Sequence, residues 1–204
     1  MNKRGYDISK RAFDIAVSTA GLVVLSPVLA ATALLVRKHL GSPVIFSQPR
    51  PGKDGRVFQL RKFRTMLNPD PARGLVTDED RLTRFGEKLR STSLDELPTL
   101  WNVLRGDMSI VGPRPLLVSY LGRYSPLQAR RHEVKPGITG LAQCSGRNQL
   151  DWADKFRLDV EYVDHRSWGL DLRILARTAG AVVHREGITQ RGHVTMPEFE
   201  GVMA

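Results

Sequence analysis

The apolar positions along this chain fall into stretches of different period, and each predicts a different element. From Ile15 to Val36 there are 22 residues without a charge. A straight helix of that length spans ~33 Å, enough for the hydrocarbon core of a bilayer. Ser26-Pro27 falls at its centre. The proline removes a backbone bond and kinks the helix, and the serine hydroxyl is placed to satisfy a freed carbonyl. Basic residues lie on both flanks: Lys3, Arg4, Lys10 and Arg11 before, Arg37 and Lys38 after. That symmetry lacks the charge bias that orients a spanning helix. The pattern therefore predicts a re-entrant hairpin that bends at Ser26-Pro27 and returns to the same face; a proline-kinked spanning helix is the competing reading.

Beyond residue 40 the periods shorten. Val44 to Phe63 predicts a β-hairpin, with Val44–Phe46 and Val57–Leu60 as strands and the turn residues Pro49 to Gly55 between them. Asn68 to Asp78 predicts an irregular loop. Helical spacing predicts a helix from Glu79 to Leu89, another from Thr99 to Leu104 capped by Gly106, and two amphipathic helices over Asp151–His165 and Leu170–Arg185. The fold class is α+β, mainly helical: an anchor over residues 1–40 carries one cytosol-facing globular unit over 41–204.

The most informative local pattern is Ser93-Leu-Asp-Glu-Leu-Pro98. Proline is tolerated only in the first turn of a helix, so the helix starts near Pro98. Asp95 and Glu96 then sit at its entry, where free backbone donors and the positive end of the dipole meet two acids. Such a place can hold carboxylates ionised and can bind phosphate or a divalent cation. Ordinary capping explains the same pair, although the proline argues against a Ser93–Glu96 capping box.

Charge adds direction. The net charge is +10, from 31 Lys+Arg against 21 Asp+Glu, which predicts an anionic partner: nucleic acid, a membrane surface or a phosphorylated substrate. The single cysteine, Cys144, excludes an intrachain disulfide. Five scattered histidines, His39, His132, His165, His184 and His193, form no metal-spaced cluster. Arg90 lies five residues before Asp95, and Arg114 is stiffened by a proline on either side. Such an arginine suits bidentate phosphate binding or a structural salt bridge. Carboxylates with cationic loops suit phosphoryl transfer, and a carboxylate can attack phosphorus directly. Two other readings compete. A non-catalytic basic membrane adaptor fits the charge, but no nucleic-acid motif is present. A magnesium-dependent phosphodiesterase would use the same two acids with water as acceptor.

Several blocks resemble one family: Lys62-Phe-Arg-Thr-Met66, Arg90 to Pro98, Asn102 to Ser109, Val111-Gly-Pro-Arg-Pro115 and Lys135 to Gln143. In this order they look like the bacterial sugar transferases, small monotopic phosphoglycosyl transferases, and the likeness runs from Lys10 to about Gly187. The resemblance implies transfer of a sugar 1-phosphate from a UDP-sugar to polyprenol phosphate, usually undecaprenyl phosphate, with release of UMP. It implies a ping-pong mechanism with Asp95 as nucleophile, Mg²⁺ near Asp95, and Glu96 positioning the metal or the pair. Lys62, Arg90 and Arg114 match positions expected to support phosphates or the acid pair, and Asp159 matches an acidic position of the same substrate-binding group. The implied place is the cytoplasmic face of the bacterial inner membrane, with both termini cytoplasmic, an anionic membrane surface as partner, no nucleic acid, and a homodimer compatible with the pattern. The step implied is the first membrane step of glycoconjugate or exopolysaccharide synthesis.

Overall fold

The computed structural model describes residues 3–146, 150–183 and 198–201. The N-terminal apolar stretch forms two helices, α1 (Lys3–Val24) and α2 (Ser26–Leu40), which meet at Leu25 with a 63° bend. No single helix among the described residues is long and apolar enough to cross a membrane; the bent pair passes that test together. Pro27 lies in the first turn of α2 and cannot donate to the carbonyl four residues back, which is Val23. The Ser26 hydroxyl donates to that carbonyl at 2.8 Å, so the serine replaces the bond that the proline deletes. The ladder resumes at once, with Leu29 N–H donating to the Leu25 carbonyl at 2.8 Å.

The first half of α1 belongs to the globular unit. Lys10 Nζ lies 2.6 Å from Asp171 Oδ2, and the Tyr6 and Tyr162 hydroxyls donate to the same carboxylate at 2.7 and 2.9 Å. Buried Asp14 accepts from Ser109 Oγ at 3.1 Å and from the Ile110 N–H at 3.0 Å. The second half and α2 present apolar side chains outward: Val23, Val24 and Leu34 are 67, 73 and 71% exposed.

The hairpin forms with longer strands than expected, and Pro49–Pro51, expected in the turn, pair within the first strand. β1 (Ile45–Pro51) pairs antiparallel with β2 (Val57–Phe63), in a register running from Ile45 opposite Phe63 to Pro51 opposite Val57. Asp54 at φ 56° and Gly55 at φ 72° make the turn.

The helix expected over Glu79–Leu89 is two shorter ones, α3 (Asp78–Arg81) and α4 (Arg84–Ser91). The break has local causes. Thr77 and Thr83 each cap a new start, accepting from the N–H of Asp80 and of Gly86. Leu82 between them leaves helical geometry to bridge Met66. α5 (Thr99–Arg105) begins after Pro98 and ends at Gly106, which takes φ 92°; this is the helix that the proline and glycine predict.

A second small sheet has no counterpart in the sequence-based reading. β3 (Ser109–Val111) pairs parallel with β4 (Gly137–Thr139). The strands approach at glycines: a Cβ on Gly137 would lie 2.1 Å from the Gly112 nitrogen. Two short helices, α6 (Pro126–Ala129) and α7 (Leu141–Cys144), flank β4 in sequence. α8 (Trp152–His165) and α9 (Trp168–Val183) complete the unit. Asp151 caps α8 by accepting from the Asp154 N–H, and Phe156, Val160 and Val163 are buried as the spacing requires. The expected end of α9 near Arg185 and Gly187 lies outside the described residues, as do His184 and His193. Leu60, Val103, Met108, Val111, Tyr162 and Ile174 form the main core. The molecule is mainly helical with small sheets.

Candidate active site

Ser93 takes a left-handed conformation, φ 56°, and turns the chain into a single 3-10 turn over Leu94–Glu96. That turn, placed before Pro98, presents Asp95 and Glu96. Ser93 makes no side-chain cap, so the capping box is absent. The N–H groups of Leu100 and Trp101 are taken by the Leu97 and Pro98 carbonyls, so these donors at the helix entry do not reach the acids.

The α5 helix is stitched to the hairpin. The Thr99 hydroxyl donates to the Arg61 carbonyl at 3.0 Å, while Asn102 accepts from the Arg61 N–H at 3.1 Å and donates to the Gln59 carbonyl at 2.8 Å. These contacts satisfy the free edge of β2 and fix Lys62, one residue on, against the acids. Thr99 and Asn102 carry no sequence signal of that role beyond being polar on an apolar helix.

The two acids have different surroundings. Glu96 Oε1 lies 2.5 Å from Lys62 Nζ and 3.6 Å from Arg114 Nη2. Asp95 is 8% exposed, and among the described residues no side chain ion-pairs with it. Burial and the neighbouring Glu96 charge push its carboxyl up to about 6, against the opposing pull of Lys62, Arg90 and Arg114. The helix entry therefore does not lower the Asp95 carboxyl below its ordinary value, although at about 6 it is still mainly ionised at neutral pH. Desolvation and like charge outweigh the dipole of a seven-residue helix. Arg90 reaches over from α4, with Nε donating to Thr65 Oγ1 at 3.0 Å, and burial pushes it below its ordinary value.

Lys62, Arg90 and Arg114 thus gather around Asp95 and Glu96 from three separate elements. Asp159 does not join them directly. It is buried in α8, where it pairs with Arg131 at 2.7 and 3.1 Å. Arg131 in turn donates to the Arg114 carbonyl at 2.6 Å. Burial pushes Asp159 up, and the Arg131 guanidinium pulls against that. Asp159 thereby reaches the site through Arg131 and the backbone of Arg114. Arg131 escaped sequence reasoning because Arg130 beside it carries the same charge and faces Asp164 instead.

Among the described residues no cluster of three or more His, Cys, Asp or Glu could hold a metal ion. Glu96 Oε1 faces two cations, and Asp95 has no ion-pair partner among the described residues. Such a set suits a hard cation that draws its other ligands from water and phosphate, as Mg²⁺ does.

A carboxylate of raised affinity for protons with no ion-pair partner among the described residues, backed by a second acid and ringed by cations, has the chemistry that suits phosphorylated substrates. A sequence model of the bacterial sugar transferases matches residues 5–185, and the chain belongs to that family. It is 52% identical over 195 residues to the uncharacterized sugar transferase EpsL of Bacillus subtilis, covering 95% of this chain and 96% of that one. It is 44% identical over 182 residues to the UDP-glucose:undecaprenyl-phosphate glucose-1-phosphate transferase of Klebsiella pneumoniae, 84% of this chain and 39% of that protein. It is 38% identical over 203 residues to the undecaprenyl-phosphate galactose phosphotransferase of Salmonella typhimurium, 91% of this chain and 42% of that protein. The chain spans about two-fifths of those two longer relatives.

Proposed function

We propose that this transferase moves a sugar 1-phosphate from a UDP-sugar to undecaprenyl phosphate. The observation that carries the reading is the asymmetry of the acid pair: Glu96 is held by Lys62 and Arg114, while Asp95 is buried, unpaired and surrounded by cations.

An ionised Asp95 oxygen attacks the β-phosphorus of the donor. A carboxyl–phosphorus bond forms, the bond to the bridging oxygen breaks, and UMP leaves with that oxygen and its electron pair. The lipid phosphate oxygen then attacks the same phosphorus, releasing Asp95 and giving a lipid diphosphate sugar. Lys62, Arg90 and Arg114 neutralise charge on the non-bridging oxygens, where phosphoryl transfer needs it. Asp95 would hold a bound Mg²⁺, which would supply further neutralisation of the diphosphate.

In this reading the helix pair is a re-entrant anchor on the cytoplasmic face of the bacterial membrane. The 63° bend, the Ser26–Val23 bond and the outward apolar side chains support it. A groove of about 470 Å³ lies inside the bend, lined by Leu22, Leu29, Phe63 and Trp101, and reaches Pro98 beside the dyad. A lipid phosphate lies at headgroup depth while its tail stays in the bilayer, so the site must rest at that depth.

The test is a screen for UMP release across UDP-sugars with undecaprenyl phosphate and Mg²⁺, followed by product analysis. A lipid-linked diphosphate sugar is expected. Free sugar phosphate with no lipid product would instead establish a phosphodiesterase, and no release from any donor would remove the catalytic reading.

A further inference from the structure

Two arginines in this chain are each flanked by prolines: Pro49-Arg50-Pro51 in β1 and Pro113-Arg114-Pro115 after β3. The fold brings them together. Arg50 Nη1 donates to the Pro115 carbonyl at 3.3 Å, directly beside Arg114. Its Nη2 donates to Gln48 Oε1 at 2.6 Å, and its Nε is buried with no partner. Both of its contacts are with neutral oxygens. Among the described residues no carboxylate lies within ion-pair distance of Arg50.

A partly buried guanidinium without a counter-ion, packed beside a second guanidinium, is costly unless an anion joins them. Burial and the Arg114 charge push Arg50 down to about 10, the mark of that cost. Lys155 on α8 also interacts with Arg114 and is pushed down, chiefly by burial. Of the nearby acids, Asp159 pairs with Arg131, and Asp151 caps α8. Arg114 Nη2 lies 3.6 Å from Glu96 Oε1 on one side, and the Pro115 carbonyl next to Arg114 accepts from Arg50 on the other. Arg114 is therefore the link between the acid pair and a second cationic pocket.

We propose that Arg50 and Arg114 form a second phosphate subsite that takes the α-phosphate of the sugar nucleotide and then holds the departing nucleoside monophosphate. This deepens the function proposed above and rests on it. Two phosphates joined by one bridging oxygen need two adjacent cationic seats. When the β-phosphorus goes to Asp95, the bridging oxygen and its electron pair stay with the α-phosphate, which becomes a dianion. Two stiffened guanidinium forks suit that charge and geometry.

The experiment uses the full chain in detergent micelles, as wild type, Arg50→Gln and Arg50→Lys. Equilibrium dialysis with labelled UMP, with uridine and inorganic phosphate as competitors, measures binding without turnover. Wild type is expected to bind UMP and not uridine, and Arg50→Gln to weaken UMP roughly tenfold or more, with Arg50→Lys between. In kinetics, Arg50→Gln should raise the KM for donor and the inhibition constant of UMP together. Discharge of the preformed phosphosugar enzyme onto lipid phosphate, which involves no nucleotide, should keep its wild-type rate. UMP binding unchanged in Arg50→Gln overturns the subsite. So does an equal fall in both half-reactions, which would mean that Arg50 only supports the fold. Wild type that binds UMP through Arg50 but transfers no sugar phosphate would sink the proposed function and leave the subsite standing.

Discussion

Lys62 Nζ and Glu96 Oε1 lie 2.5 Å apart, and this contact divides the work of two neighbouring acids. Glu96 is tied to the hairpin, whereas Asp95, on the same turn, keeps its carboxylate open and pushed up to about 6. Attack on phosphorus needs the ionised form, so UMP release in a single turnover should fall as pH drops through about 6. Lys62→Met removes a cation that favours the ionised form and should move this inflection up by roughly one pH unit. A rate that is flat from pH 5 to 8 would contradict the assignment of Asp95 as nucleophile.

Asp95→Asn should abolish transfer and the covalent adduct, yet stabilise the protein. The folded state holds the Asp95 proton to about 6, whereas the unfolded chain releases it near 3.8. Between those values the folded form binds more protons, so wild-type stability falls as pH rises through the window. An uncharged isostere escapes that loss. Thermal melts should show Asp95→Asn ahead at pH 8, by as much as about 3 kcal/mol, with the gap closing below pH 4.

Asp159→Leu should cost about 3–5 kcal/mol, because it strands the Arg131 guanidinium, whose side chain is 2% exposed. Arg131→Met combined with Asp159→Leu should recover much of that stability. Activity should stay low in the double variant, since the Arg114 carbonyl has lost its donor. Denaturant unfolding paired with UMP release separates the two effects.

Gly86→Ala tests a packing contact against helix propensity. Within α4 alanine should help by about 1 kcal/mol. A Cβ there would stand 1.9 Å from the Thr65 carbonyl oxygen, on the residue whose hydroxyl receives Arg90. The substitution should therefore destabilise by about 1–3 kcal/mol and slow transfer, by melting temperature and UMP release.

Topology is checked by single cysteines at Lys3 and Ser42 in a Cys144→Ser background. A re-entrant pair makes both positions label from the cytoplasmic side in spheroplast and inverted-vesicle preparations. Opposite labelling would establish a kinked spanning helix. Pro27→Ala restores a straight ladder and should shift the population toward spanning.

What the sequence reveals of the fold is what is local. Pro98 places the helix entry, and with it the acids, because a proline constrains its own neighbourhood strongly. Turn residues likewise give the hairpin. The β3–β4 sheet is hidden because three-residue strands leave no period to read. The break at Leu82 is hidden because Leu82, Phe85 and Leu89 keep helical spacing across it, while the bridge to Met66 is a tertiary choice. The Asp159–Arg131–Arg114 relay joins residues far apart in the chain, and charge counting cannot tell Arg131 from Arg130.

Within little more than one turn, α1 grips three different walls. Lys10 holds α9, Arg11 donates to the Val103 and Leu104 carbonyls at the end of α5, and Asp14 receives β3. The helix is thus a rudder post rather than a mooring rope. Grafting a foreign leader in its place would unseat the walls around the dyad even if the graft held the lipid bilayer equally well.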